Sequence, residues 1–183
     1  MRRIALLRGI NVGGRNRMPM ADLRTICEQL GWQEVQTYIQ SGNVVFRSAE
    51  LPAADEALLE RAIAQRFQLH IPVIVRNAAT WAAYAANNPF MAESHEVPSH
   101  VMLALAKEPL RSATAEELQE QARDGERLVA VGEALWIYYS AGAGRSRLSP
   151  ALLDRYAGSP VTTRNWRTVL QIGRLITGEQ ETS

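Results

Sequence analysis

Leu6-Leu7-Arg8-Gly9-Ile10-Asn11-Val12-Gly13-Gly14-Arg15-Asn16-Arg17-Met18 decides the fold when read with Thr37-Tyr38-Ile39-Gln40-Ser41-Gly42-Asn43-Val44-Val45-Phe46. Ile4 to Leu7 is a continuous apolar run, the pattern of a central strand covered on both faces. The glycine- and arginine-rich loop that follows runs into Pro19, a residue favoured at the first helical position. Met20, Leu23, Ile26, Cys27 and Leu30 then keep a helical period until Gly31 stops it. Trp32 to Ile39 reads as a strand, Ser41-Gly42-Asn43 as a turn and Val44-Val45-Phe46 as the next strand. Pro52 opens a second helix with Leu58, Leu59, Ala62, Ile63 and Phe67 on one face, and Ile71 to Val75 closes the half as a strand. The order over residues 1–76 is β-α-β-β-α-β, the ferredoxin-like pattern.

Residues 77–99 read as a helical linker: a helix over 77–88 carrying Trp81, Tyr84 and Ala85, ended by Pro89, then a polar loop at 91–99. Residues 100–183 partly repeat the first half. Val101 to Ala106 is a strand, and Thr114 with Glu117 forms a capping box for a helix over 115–123. Arg127–Val131 and Ala134–Tyr139 make a hairpin around Gly132-Glu133, a Gly-X pair suited to a type II′ turn. Ser149 and Pro150 start a short helix, and a last helix begins after Thr163. This second α+β part lacks a clear final strand. The expected fold is therefore α+β, with two ferredoxin-like subdomains of antiparallel sheet covered by helices, the second incomplete or modified.

A chain of 183 residues, 46% apolar and 21% charged, has the make-up of a globular protein. No apolar run approaches the roughly 20 residues of a membrane span, and Ile4 to Leu7 is too short for a signal peptide. The expected compartment is the cytoplasm. The one cysteine, Cys27, falls on the apolar side of a helix and reads as a buried structural thiol. The net charge of +1 hides an uneven distribution. Residues 1–48 carry +4, residues 49–139 carry −6 and residues 140–183 carry +3. Basic ends around an acidic middle suggest a local anion site more than a nucleic-acid binder.

In the expected sheet, the loop after the first strand and the turn between the second and third fall at one end. Arg8, Asn11, Gly13, Gly14, Arg15 and Asn16 then lie beside Gln40, Ser41 and Asn43. The first helix points its free N–H groups and positive dipole end the same way, which favours an anion. Glycines let backbone N–H groups approach a ligand. Arginines offer bidentate hydrogen bonds to phosphate or carboxylate, and the amides suit a neutral part of a ligand. The glycine spacing is neither a P-loop nor a dinucleotide fingerprint. A second cluster repeats the chemistry: Ala141-Gly142-Ala143-Gly144-Arg145-Ser146-Arg147, with Arg164 and Asn165 downstream.

No metal site is expected. Glu93, His95 and His100 have no zinc-ligand spacing, and His70 is remote in sequence. No nucleophile elbow occurs, and Ser41 reads as a turn former. The first strand carries no aromatic and the third only Phe46, unlike an RNA-stacking sheet.

Four phrases carry a resemblance: residues 6–14, residues 37–46, Asn88-Pro89-Phe90 and Thr163-Arg164-Asn165-Trp166-Arg167-Thr168. They resemble the bacterial "domain of unknown function 1697" family along nearly the whole chain. The resemblance implies an α+β fold with two ferredoxin-like parts; it brings no settled activity, cofactor or catalytic residues.

The first functional expectation is a binding protein for a small phosphate- or carboxylate-bearing ligand, a nucleotide included. The second is an enzyme on a phosphorylated small molecule. Its site would contain no histidine, and its nearest acid in sequence is Asp22, a poor set for acid–base work. The third is nucleic-acid binding, against which the near-neutral charge counts. No cofactor and no membrane partner are expected, and the sequence does not specify an oligomeric state.

Overall fold

The computed structural model describes residues 1–178. Two compact units emerge, Met1–Ala82 together with the chain from Ile172, and Ala83–Gln171.

The first unit contains β1 (Arg2–Leu7), α1 (Met20–Gln29), β2 (Gln33–Tyr38), β3 (Asn43–Arg47), α2 (Pro52–Phe67) and β4 (Val73–Asn77). Its sheet has the order β2-β3-β1-β4, with every neighbouring pair antiparallel. One face packs on the helices through Ala5, Leu7, Val44, Phe46, Val73 and Val75 against Leu23, Ile26, Cys27, Leu59 and Ile63. Trp32 stacks on Phe46 with centroids 3.7 Å apart. The other face, with Ile4, Leu6, Val45 and Ile74, is buried too, as the unbroken apolar run of β1 requires. Cys27 is buried, and desolvation with the nearby Glu28 carboxylate pushes its thiol up to about 12. It is a packing residue, not a nucleophile.

The chain continues through α3 (Ala78–Ala86) and α4 (Met91–Glu96). The polar loop expected at 91–99 thus contains a helical turn. Asn88 creates it: its Oδ1 accepts from Phe90 N–H at 2.9 Å and its Nδ2 donates to Ser94 Oγ at 2.8 Å. The second unit adds β5 (Val101–Ala106), α5 (Thr114–Gln119), β6 (Arg127–Val131), β7 (Ala134–Tyr138), α6 (Pro150–Ala157) and β8 (Val161–Asn165), and α7 (Trp166–Thr177) follows. Its sheet runs β6-β7-β5-β8, again antiparallel throughout.

β8 corrects the expectation of a second half without a final strand. Val161, Thr162 and Thr163 are β-branched strand formers, but the Arg164-Asn165 pair that follows them hides the strand. Arg164 is only 7% exposed and donates to Thr162 Oγ1 at 2.7 Å and Thr163 O at 2.8 Å. The helix cap lies two residues beyond Thr163: Asn165 Oδ1 accepts from Thr168 N–H at 2.9 Å. The capping box at α5 does not form either. Thr114 is already helical and donates to Tyr156 O, while Glu117 pairs with Arg111.

Edge strands explain part of the acidic middle. The outward N–H groups of Val73 and Val75 on β4 donate to Glu60 and Glu56 of α2, at 2.8 and 2.7 Å. Asp154 of α6 accepts from Val161 of β8, and Gln119 of α5 from Leu128 of β6, both at 2.8 Å. β2 is blunted differently, by a bulge between Gln33 and Gln36 with Glu34 at φ 50°. Side chains and a bulge thus cover edges that would otherwise template pairing with another chain.

Candidate functional site

The loop after β1 folds as a miniature hairpin. Val12 pairs with Arg15, Arg15 N–H donates to Val12 O at 3.0 Å and Asn11 N–H to Asn16 O at 3.2 Å. Gly13 (φ 56°) and Gly14 (φ 77°) occupy the tip. Two consecutive positive φ values are what a type I′ turn requires. The glycines therefore build the exposed tip of a hairpin finger.

Asparagines hold the finger. Asn11 Nδ2 donates to Met18 O and to Gln40 O, each at 2.9 Å, and its Oδ1 accepts from Met18 N–H at 2.9 Å. Asn16 Nδ2 donates to Gly9 O at 2.9 Å. The β2–β3 turn meets the loop as expected. Leu7 N–H donates to Gly42 O at 2.8 Å. A Cβ at Gly42 would lie 2.7 Å from Ile10 Cδ1 and 2.8 Å from Leu7 Cβ, so only glycine fits. Buried Asn43 completes the turn, donating to Tyr38 O at 2.8 Å and to Ser41 Oγ at 3.1 Å.

The expected constellation is thus brought together, and its roles divide. Asn11, Asn16 and Asn43 fold the loops, and their side-chain donors are engaged with the protein. Arg15, Arg17 and Gln40 are exposed, and Arg8 is half-buried. Among the described residues the Arg15 and Arg17 side chains make no ion pair or hydrogen bond. The start of α1 adjoins them, because Asn11 grips Met18 just before it. Pro19 precedes the helix in extended conformation, and no side chain caps the first turn. Its free N–H groups leave a positive dipole end, with Asp22 in the first turn as the nearby acid, five residues after Arg17 in the chain.

The model of the family described as "Protein of unknown function (DUF1697)" matches residues 1–136. The chain belongs to the DUF1697 family. No curated protein matches it. Among solved structures it is similar to the conserved bacterial protein SP0830 from Streptococcus pneumoniae. Identity is 27%, the TM-score is 0.74, and the match covers 96% of this chain and 98% of that one. Among the described residues, no helix of this DUF1697 protein is long and apolar enough to cross a membrane.

The second cluster has a different build. Gly142 packs against the His100 ring, and Ala143–Arg145 form a turn of 3-10 helix. Ser146 Oγ donates to the Glu126 carboxylate, which also accepts from Asp124 N–H at 2.8 Å and Arg123 N–H at 3.1 Å. Glu126 is 3% exposed. Its burial opposes ionisation, but the Ser146 hydroxyl and backbone N–H donors outweigh that and hold its pKa below the usual carboxylate range. Arg145 and Arg147 are exposed, whereas Arg164 and Asn165 are not presented with them. Arg164 lies in β8, where burial lowers its guanidinium to about 10, and Asn165 caps α7.

Sequence reasoning missed the cation cage of the second unit. The Arg127 guanidinium lies 5.1 Å from the Phe90 ring centroid and 4.9 Å from that of Tyr138, and pairs with Glu93. The hydrogen bond from Arg127 lowers the Glu93 pKa. Arg127 fills this cage itself, so it acts as a clasp between α4 and β6. The signal was present in Asn88-Pro89-Phe90, but nothing in the spacing pointed to Arg127. Another missed pair is Arg3 with Asp55, 3% and 0% exposed, with Asp55 also accepting from Ser48 Oγ at 2.8 Å.

Proposed function

We propose that this DUF1697 protein binds an anionic ligand bearing phosphate or carboxylate at the finger, with Arg15, Arg17 and Arg8 as the charged contacts and Gln40 as a neutral one. One observation carries this reading. Neutral asparagines meet the loop's own hydrogen-bonding needs, so Arg15 and Arg17 face solvent beside an uncapped helix start. Guanidinium groups and helix N–H groups together recognise oxyanions. The antiparallel order β2-β3-β1-β4 supports the reading, because the end of β1 and the β2–β3 turn then share one end of the sheet. The site contains no histidine and no cysteine, so binding explains its residues better than acid–base or nucleophilic catalysis does.

The test is a melting-temperature titration with phosphate, pyrophosphate, nucleotides and dicarboxylates at low and high salt. A ligand at a hundred times its Kd adds about 2.7 kcal/mol of stability. The expected result is a dose-dependent rise with at least one anion that disappears in the Arg15→Ala/Arg17→Ala variant. An equal rise in wild type and variant would remove the finger from the site.

A further inference from the structure

We infer that the ligand of the finger is a segment of a protein partner that combines carboxylates with an apolar side chain, and that Ile39 with Val12 receives the apolar part. This deepens the anion-site reading and rests on it.

Ile39 adopts φ 47°. A β-branched residue is strained there, whereas glycine or asparagine would be at ease. The strain is imposed from both sides. Asn43 Nδ2 holds the carbonyl before Ile39, on Tyr38, at 2.8 Å. Asn11 Nδ2 holds the carbonyl after it, on Gln40, at 2.9 Å. The reward is not burial, because Ile39 remains 47% exposed. Val12 is 64% exposed and follows Asn11, the residue that reaches Gln40. Two exposed aliphatic residues are thus the chain neighbours of the Asn11–Gln40 hydrogen bond that joins finger and turn, with Arg15 paired to Val12 across the hairpin.

A bare oxyanion would use the arginines, Gln40 and the helix N–H groups and leave Val12 and Ile39 without a role. A nucleobase wants an aromatic platform; residues 8–18 and 39–42 include no aromatic, and the neighbouring Tyr38 is half-buried at the end of β2. An acidic segment with a leucine-like side chain uses both halves of the patch: charge against Arg15 and Arg17, hydrocarbon against Val12 and Ile39.

The experiment measures fluorescence anisotropy with four probes: a labelled decapeptide of five Glu-Leu repeats, labelled decaglutamate, a labelled ten-nucleotide oligothymidylate, and unlabelled pyrophosphate as competitor. The proteins are wild type, Ile39→Asn and Arg15→Ala, each with its melting temperature. The Glu-Leu peptide is expected to bind at least tenfold more tightly than decaglutamate. Ile39→Asn should remove that advantage, leave competition by pyrophosphate unchanged, and raise the melting temperature by relieving strain. Arg15→Ala should weaken every probe. Equal affinity for the two peptides, no binding of the Glu-Leu peptide, or a lower melting temperature in Ile39→Asn would overturn the proposal. Tightest binding by oligothymidylate would overturn it in favour of nucleic acid. If arginine dependence persists while Ile39→Asn changes nothing, only the partner proposal fails; if Arg15→Ala changes nothing, the anion site itself fails.

Discussion

The two glycine–arginine loops look alike in sequence and are built on opposite electrostatic plans. The finger at 11–16 is folded by neutral amides, Asn11 and Asn16, and it adjoins an uncapped helix start. The loop at 141–149 is tied to a buried carboxylate: Glu126 accepts from Ser146 Oγ, and from the N–H groups of Arg123 and Asp124 on its own segment. A loop organised by neutral groups leaves its arginines as a net positive site. A loop organised by an ionised carboxylate carries its own counter-charge, poorly screened where it is buried. Composition alone does not make an anion site; the charge of whatever folds the loop decides it.

The comparison breaks most readily at the residues that fold each loop. Asn11→Ala removes three hydrogen bonds and leaves alanine at φ 54°. Chemical denaturation should show a loss of about 2–4 kcal/mol, and anion binding at the finger should vanish with it. An unchanged midpoint would mean that Asn11 does not organise the finger. Glu126→Ala strands the donors that Glu126 satisfies, so a loss of about 2–3 kcal/mol is expected at neutral pH. Anion binding at the finger should survive in the folded variant.

Glu126 also gives the comparison a pH signature. Its folded-state pKa is lowered, so its stabilisation is complete above the unfolded-state value and is lost as pH falls through the folded one. The gap in stability between wild type and Glu126→Gln should therefore close with acidification. A gap that stays constant from neutral pH to pH 3 would show that Glu126 is not the ionised latch of the second loop.

Much of the fold was legible, and the misses share a cause. The apolar run of β1, the period of α1 and the Gly132-Glu133 hairpin announce themselves because burial and turn chemistry act within a few residues. β8 did not, because a buried arginine interrupts its pattern and its partners lie far away in sequence. Acids on α2 entered the sequence reading only as part of the acidic middle, yet Glu56 and Glu60 close the edge of β4. At the site, the meeting of loop and turn followed from strand order. The division of labour did not: Asn11 and Arg15 look equally suited to a ligand until hydrogen bonds show that one is engaged by its own loop. Likewise, Glu126 is twenty residues from Ser146, and no local pattern links them.

Smaller effects sharpen the contrast. Arg15→Ala/Arg17→Ala should change stability by no more than about 0.5 kcal/mol. Loss of charge-assisted hydrogen bonds of about 1.5–3 kcal/mol each should weaken an anion by tenfold or more. Arg145→Ala/Arg147→Ala should change neither stability nor affinity measurably.

The most direct measurement is calorimetric titration of pyrophosphate into wild type, Arg15→Ala/Arg17→Ala and Arg145→Ala/Arg147→Ala at low ionic strength. One site is expected in wild type, with at least a tenfold loss in the first variant and wild-type affinity in the second. Equal loss in both variants, or loss in the second alone, would contradict the claim that the neutral-built finger is the anion site.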